Sequence, residues 1–169
     1  MSTDLKLKLA LALSGSYTGS NDLAAPAQQI AFSEVLNYKF GTSANQADIL
    51  FADTRTLAAS GTESLDLNGV LADAFGAAVA AVEVVAVIVT ADAGNTNNVE
   101  VGGAAANAFP LFKDPTDIAV VKPGGFFAIG TPTNPGYVVT PATGDLLKVT
   151  NSAAGTPITY TIIIVGRSA

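Results

Sequence analysis

The sequence predicts an all-β protein, an antiparallel β-sandwich or jelly roll with at most one short helix. About ten short apolar or alternating runs follow one another along the 169 residues, and Gly, Pro or Asn separates each run from the next. No amphipathic run of ten or more residues lies between them, whereas a parallel α/β fold needs helices there. We therefore expect one β-sandwich domain over residues 1–169, in which residues 1–60 either complete the sandwich or form an N-terminal strand segment or arm.

The first predicted strand shows the clearest alternation. The leucines at odd positions from Leu5 to Leu13 share one face, and Lys6 and Lys8 lie on the other. This pattern is typical of a half-buried strand. The stretch that follows, residues 14–29, is rich in Ser, Gly and Asn and predicts a long loop.

The strand over residues 82–90 is predicted to lie at the centre of a sheet. Its residues are almost all β-branched or apolar, which is typical of a strand covered on both faces. The other strands are predicted at residues 30–40, 47–57, 63–67, 98–101, 117–121, 126–129, 137–140, 146–150 and 158–165.

The pair Asn68-Gly69 is open to two interpretations. It is suitable for a tight hairpin turn, and Asn68 is also suitable as the cap of a single helical turn over residues 70–75. We favour the short helix because Leu71, Ala74 and Phe75 recur at helical spacing before Gly76.

Composition excludes several kinds of chemistry and partner. The chain has no Cys and no His, so it has no thiolate nucleophile, no Ser-His-Asp triad and no zinc site with the usual ligands. Its 14 acidic residues outnumber 8 basic ones, and no basic stripe is present, so we expect no nucleic-acid partner. The longest apolar run, residues 77–89, contains Glu83 and is shorter than the roughly 18 residues of a membrane span. We therefore expect no membrane partner.

No catalytic or cofactor site is predicted. Asp53-Thr-Arg55 departs from the Asp-Thr-Gly of aspartic proteases, because Arg replaces the glycine and no second triplet supplies a partner carboxylate. Glu63 and Asp66 would lie on opposite faces of a strand, which prevents them from acting as an acid and base pair. The sequence thus predicts a protein that is not an enzyme and has no cofactor.

One loop has the oxygen ligands that a hard cation such as calcium prefers. Asp92, Asn95 and Asn97 fall within seven residues that include Gly94. Only one carboxylate is present, and Asn and Gly clusters usually form plain turns. We therefore predict no metal and retain these three residues only as candidates.

Apolar residues give the better indication of a partner. Phe126 and Phe127 are adjacent, so one of them must point away from the interior of its own sheet. An outward Phe indicates a protein partner that covers it. The alternating first strand could pair with a sheet edge on another subunit or on the capsid, although we favour the simpler interpretation, an ordinary edge strand of its own domain. The candidate partner-binding residues are Leu5, Leu7, Leu9, Phe126 and Phe127.

Five segments resemble a family of small virion-associated proteins of tailed bacteriophages. They carry turn and strand motifs, such as Ala52-Asp-Thr-Arg and Lys122-Pro-Gly-Gly, and the similarity covers roughly residues 45–165. No functional residue of the family is encoded by these motifs. The segments are residues 52–60, 66–76, 93–103, 122–125 and 144–152.

The resemblance implies a structural protein of the virion, most simply a capsid decoration or cement protein. Such a protein would bind the major capsid protein on the surface of the assembled head and form a homo-oligomer, a trimer by expectation, after synthesis in the host cytoplasm. Two other functions remain open: a receptor- or carbohydrate-binding module of a head or tail fibre, and a structural protein of the tail or neck.

Overall fold

The chain folds entirely into β-strands and turns over residues 4–169, which the computed structural model describes, and this range contains no helix. The predicted all-β class is confirmed. Within that range the strands are β1 Lys6–Thr18, β2 Ala27–Phe40, β3 Gln46–Ala47, β4 Ile49–Leu57, β5 Thr62–Asp66, β6 Asn68–Ala72, β7 Ala78–Ala80, β8 Glu83–Ala91, β9 Val99–Gly102, β10 Ile118–Val121, β11 Phe126–Gly130, β12 Tyr137–Val138, β13 Leu146–Asn151 and β14 Ile158–Arg167.

Two antiparallel sheets form a sandwich, which we call the body. The large sheet has the order β11-β8-β14-β4, with β12 also paired to β8, and the small sheet has the order β10-β9-β13-β5. Apolar residues at alternate positions of both sheets form one buried cluster between them. The cluster includes Phe51, Leu65, Val87, Val89, Val99, Val101, Leu147, Val149, Tyr160, Ile162 and Ile164.

The strand predicted to be central occupies an interior position of the large sheet. β8 pairs with β11 on one side and with β14 on the other. Its residues from Glu83 to Val87 are all buried because both faces of the sheet are covered at this point. The small sheet covers one face, and the N-terminal hairpin covers the other.

The N-terminal hairpin, which we call the arm, comprises β1 and β2. The two strands pair without a register shift from Lys6 opposite Lys39 to Thr18 opposite Ala27. Every residue from Ala10 to Val35 is exposed. We call residues 5–9 and 36–40 the arm root, and residues 10–35 the arm end.

The arm root packs on the outer face of the large sheet. Tyr38 is buried there, and its hydroxyl donates to the backbone carbonyl of Val85 (3.2 Å) or Thr131 (3.1 Å). A Cβ at Gly130 would lie only 2.9 Å from Leu36 and 3.0 Å from Leu9, so the missing side chain lets the arm approach the sheet closely. The arm root is therefore fixed to the body by side-chain packing and hydrogen bonds.

The prediction of a long loop over residues 14–29 is wrong. β1 continues to Thr18, β2 begins at Ala27, and only the residues between them form the turn. Small polar residues pair well here because an antiparallel ladder uses backbone groups, and an exposed ribbon does not require apolar side chains. The turn contains Asn21, whose side-chain oxygen accepts backbone N–H bonds from Leu23 and Ala24.

The preference for a short helix at residues 70–75 is also wrong. This segment is a hairpin of β6 and β7, joined by a tight turn. Oδ1 of Asp73 accepts N–H bonds from Phe75 (2.8 Å) and Ala77 (2.9 Å), and Gly76 has a φ of 79°. The helical spacing is coincidental, because Asp73 hydrogen-bonds to its own turn in preference to a helix.

Candidate functional site

A cavity of about 820 Å³ opens where the arm leaves the large sheet. We call it the wedge. Its walls are almost entirely apolar, and Glu34 is the single charged residue among those that line it. The arm contributes Leu9, Ala10, Leu11, Ala12, Glu34 and Leu36, and the sheet contributes Ile88, Phe126, Phe127, Ala128 and Gly130.

The two adjacent phenylalanines occupy very different environments. Phe127 packs towards the core, with its ring centroid 5.8 Å from that of Phe112. Phe126 is on the opposite face of β11 and is 65% exposed. β11 is an edge strand of the large sheet, and Phe126 lies on the wall of the wedge. Phe126 therefore remains available to a partner, as expected of one member of the pair.

The arm end carries a second exposed apolar surface. Leu13 pairs directly with Phe32, and these side chains are 61% and 48% exposed. Leu11 and Ile30 lie on the same face, and Val35 lies on the opposite one. An isolated two-stranded ribbon is at best marginally stable in water, so an apolar face of this kind is typical of a segment that packs against another protein.

A third apolar feature lies at the other edge of the large sheet. Phe75, at the turn between β6 and β7, is 84% exposed. It lines a groove of about 320 Å³ together with Leu5 and Leu7 of the arm root and Leu50 and Ala52 of β4. Charged residues also line this groove, namely Asp4, Lys6, Asp48 and Asp73. β4 and β11 form opposite edges of the large sheet, so Phe75 and the wedge lie on opposite sides of the body.

The three predicted partner-binding leucines serve the fold of the chain itself. Leu5, Leu7 and Leu9 are half-buried and pack against the apolar cluster on the outer face of the large sheet. β1 pairs with β2 of the same chain, as an ordinary edge strand does. Among the five candidates, Phe126 is the one left exposed.

The candidate metal ligands are occupied by hydrogen bonds within the protein. Oδ1 of Asp92 accepts the N–H of Gly94 at 2.7 Å. The Asn95 amide bonds both backbone groups of Thr159, and the Asn97 amide donates to Asn151 Oδ1 at 2.9 Å. Over residues 4–169, no group of three or more Asp or Glu side chains is arranged to hold a metal ion.

A polar network joins the two sheets beside the core. Arg55 forms ion pairs with Asp53 (2.7 Å) and Glu63 (2.6 Å), and the Tyr160 hydroxyl donates to Glu63 at 2.5 Å. The bond to Glu63 is the main reason that the pKa of Arg55 is raised above its usual range. Burial, reinforced by the Glu63 carboxylate, raises the pKa of Tyr160. This network fixes one sheet to the other and presents no free acid or base.

A second ion pair lies at the end of β14, where Arg167 is fully buried and Glu83 is nearly so. Arg167 Nη1 lies 2.6 Å from Glu83 Oε2, and the guanidinium also donates to the carbonyls of Gln46 (3.0 Å) and Thr133 (2.8 Å). Glu83 also accepts the N–H of Gly136 at 3.0 Å. Every buried group of this cluster therefore has a partner, which suits a structural role.

Comparisons with known proteins identify no family for this chain. No protein-family model and no curated protein matches the chain. A similar solved structure comes from the study "Bacillus endospore appendages form a novel family of disulfide-linked pili". The match covers 77% of this chain and 98% of that chain, at 12% identity and a TM-score of 0.37, and a likeness at this level carries no argument. From Asp4 onwards no helix is long and apolar enough to cross a membrane.

The sequence indicated Phe126 but not the arm end or Phe75. Ile30 and Phe32 continue the apolar alternation of the first strand on its partner strand, and this signal was present in the sequence. A loop over residues 14–29 does not imply that the two flanking strands pair, so the loop prediction gave no reason to place Leu13 beside Phe32. The exposure of Phe75 follows from the turn between β6 and β7, whereas its helical spacing predicts a short helix over residues 70–75.

Proposed function

We propose that this chain is a structural protein of a bacteriophage virion, which decorates the assembled capsid and stabilises the contacts between capsomers. Its partner is the major capsid protein, and its location is the outer surface of the head. The proposal combines the resemblance at residues 45–165 with the arm, an exposed amphipathic ribbon on a rigid sandwich. A homo-oligomer, expected to be a trimer, belongs to the same proposal.

The single observation that carries the proposal is the apolar face of the arm end. Leu13 and Phe32 are 61% and 48% exposed, so contact with a partner would bury apolar surface of both side chains. Every residue of the arm end is exposed, so the arm end adds nothing to the buried core. A ribbon of this kind is suited to lie in a groove of another protein or to extend one of its sheets.

The physical effect of such binding is a linkage. A protein that binds only the assembled shell lowers the free energy of that shell relative to its separated subunits, by an amount set by affinity and free concentration. Decoration therefore raises the temperature at which the shell dissociates. A rigid body with no reactive site is sufficient for this function.

The test is to mix the purified chain with undecorated capsids of the phage that encodes it. We expect co-sedimentation with the capsids and an increase in their melting temperature. The double variant L13S/F32S should lose both effects, since it removes the apolar face of the arm end. The matched control is V35S, because Val35 lies on the same ribbon but on its other face.

Two results would overturn this function. One is failure of the native chain to bind capsids at any concentration. The other is equal binding by the native chain and L13S/F32S, which would show that the arm end is not the docking element. Binding to fibres, tails or necks in place of capsids would support the corresponding alternative and would also refute decoration of the head.

A further inference from the structure

We propose that the open edge of β11 pairs with one extended strand of the major capsid protein, and that the wedge holds side chains of that strand. The inference rests on the proposed function, since it names the element of the capsid protein that this chain binds. The added strand is apolar at the alternate positions that enter the wedge, and it carries a Lys or Arg that faces Glu34.

Half of the backbone groups of β11 face away from its own sheet. Among residues 4–169, β8 is the neighbour of β11 on one side, and no strand pairs with its other side. The N–H of Ala91 donates to the Gly125 carbonyl (3.0 Å), and the N–H of Thr131 donates to the Val85 carbonyl (2.9 Å). In an antiparallel pair, successive residues direct their backbone groups alternately towards the partner strand and away from it. The backbone groups that face the open edge are therefore those of Phe126, Ala128 and Gly130.

The same three residues line the wedge. Their side-chain positions lie on the face of β11 that the arm covers, and a Cβ added at Gly130 would lie about 3 Å from Leu9 and Leu36. A strand paired to this edge would continue the large sheet past β11. Because side chains alternate between the two faces of a sheet, every second side chain of the added strand would point into the wedge.

The backbone groups at the edge determine the kind of occupant. A molecule that fills the wedge as far as β11 removes water from these N–H and C=O groups, and a buried backbone group without a partner costs free energy. The groups recur at every second residue, about 6.6 Å apart, which is also the repeat of another extended strand. A compact apolar ligand cannot pair with them. An extended polypeptide satisfies both the edge and the apolar walls.

Glu34 determines the charge of the occupant. It is the single charged residue that lines the wedge, and none of the ion pairs within residues 4–169 includes it. An apolar or acidic strand in the wedge would leave this carboxylate covered and without a counter-ion. A Lys or Arg of the added strand supplies the complementary charge and fixes the register of pairing.

Two other edges of the body carry charges that oppose strand addition. β4 contains Asp53 and Arg55, and β5 contains Glu63 and Asp66. Charged residues are a common protection of edge strands against pairing, and β11 has none. β10 is also uncharged, but no residue of β10 lines the wedge. β11 thus combines an unprotected edge with an apolar groove.

The first test places a proline in the open edge. A128P removes an N–H that faces the edge and breaks no bond to β8, so the chain should remain folded. It should bind undecorated capsids roughly 30-fold or more weakly in co-sedimentation. The matched control is S64P on the β5 edge, where the bonds at residues 61 and 67 show that the Ser64 N–H also points away from its sheet. S64P should bind like the native chain.

The second test reverses the charge of the wedge. E34K should weaken capsid binding about 10-fold or more, because it places a cation opposite the basic residue of the added strand. E100K is the control: it changes the net charge equally, but Glu100 lies on β9 and does not line the wedge. Equal binding by E34K and E100K, or by A128P and S64P when thermal melts show all of them folded, would overturn the inference.

Hydrogen exchange of β11 in the native chain tests the pairing itself. In the free chain the amides of Phe127 and Ile129 should exchange slowly, and those of Phe126, Ala128 and Gly130 rapidly; bound capsids should slow the last three at least 10-fold. Capsid binding without this change would overturn the inference and leave the decoration role intact. A native chain that does not bind capsids would overturn the decoration role and this inference with it. Slow exchange at the three amides in the purified chain, increasing with its concentration, would identify a second copy as the strand donor and would also overturn the inference.

Discussion

Replacement of Arg167 by Met is expected to be the most destabilising single change in the body outside the apolar core. The guanidinium is fully buried and donates to Glu83, to the Gln46 carbonyl and to the Thr133 carbonyl. Met fills a similar volume but donates no hydrogen bond. R167M therefore leaves a nearly buried carboxylate without its counter-ion, and two carbonyls without a donor.

The expected magnitude follows from that geometry. Loss of one partner from a buried ion pair costs about 3–5 kcal/mol, because the remaining charge is not solvated. For a domain of this length, each kcal/mol corresponds to a change of about 2–4 °C in melting temperature, so R167M should melt roughly 6–20 °C lower. E83Q also leaves a buried charge, that of Arg167, without its counter-ion, so it should destabilise the chain too; it should cost less than R167M because the amide oxygen of the new side chain still accepts from Gly136 and Arg167.

The measurement is urea unfolding of the native chain, R167M and E83Q, followed by tyrosine fluorescence. K122M serves as the control, because Lys122 lies in an exposed turn and its replacement should change stability by no more than about 0.5 kcal/mol. A cost below about 1 kcal/mol for R167M would refute the reasoning. It would show that the pair is solvated in solution.

Two further predictions concern other parts of the chain. Burial, with the Glu63 carboxylate, raises the pKa of Tyr160, so the folded chain retains a proton that the unfolded chain releases near pH 10. The contribution of Tyr160 to stability should therefore be constant below about pH 10 and fall above it. Y160F should reduce that fall in urea midpoints measured from about pH 8 to 11. An unchanged alkaline slope in Y160F would contradict the assignment. L7A should cost roughly 1–2 kcal/mol because Leu7 of the arm root packs on the outer face of the large sheet, whereas L13A should change stability by less than about 0.5 kcal/mol. Equal costs in chemical denaturation would show that the arm end packs on the body.

The sequence was sufficient for most of the sandwich because its strands are marked by local signals. Residues 82–90 read as a strand buried on both faces, and β8 is an interior strand of the large sheet. The runs near residues 146 and 158 likewise correspond to β13 and β14. In these segments apolar periodicity and turn residues agree, so local and global preferences favour the same structure.

The failures occurred where pairing, and not composition, determines the structure. Residues 14–18 and 27–29 have no apolar alternation of their own, yet they extend a hairpin whose register is already set by Leu5 to Leu13. The Asp73 turn competes with a helix through side-chain bonds that spacing alone does not reveal. The surfaces around Phe75 and the wedge depend on which edges these segments reach, and a single sequence does not define that arrangement.

The central claim is that the arm end is an interaction surface, and hydrogen exchange of its backbone amides tests this claim most directly. In the free chain, amides over residues 10–18 and 27–35 should exchange much faster than those of β8 and β14, because the ribbon has no cover. On addition of undecorated capsids, the same amides should become protected while the core strands remain unchanged. Arm amides that exchange at one rate with and without capsids would contradict the claim.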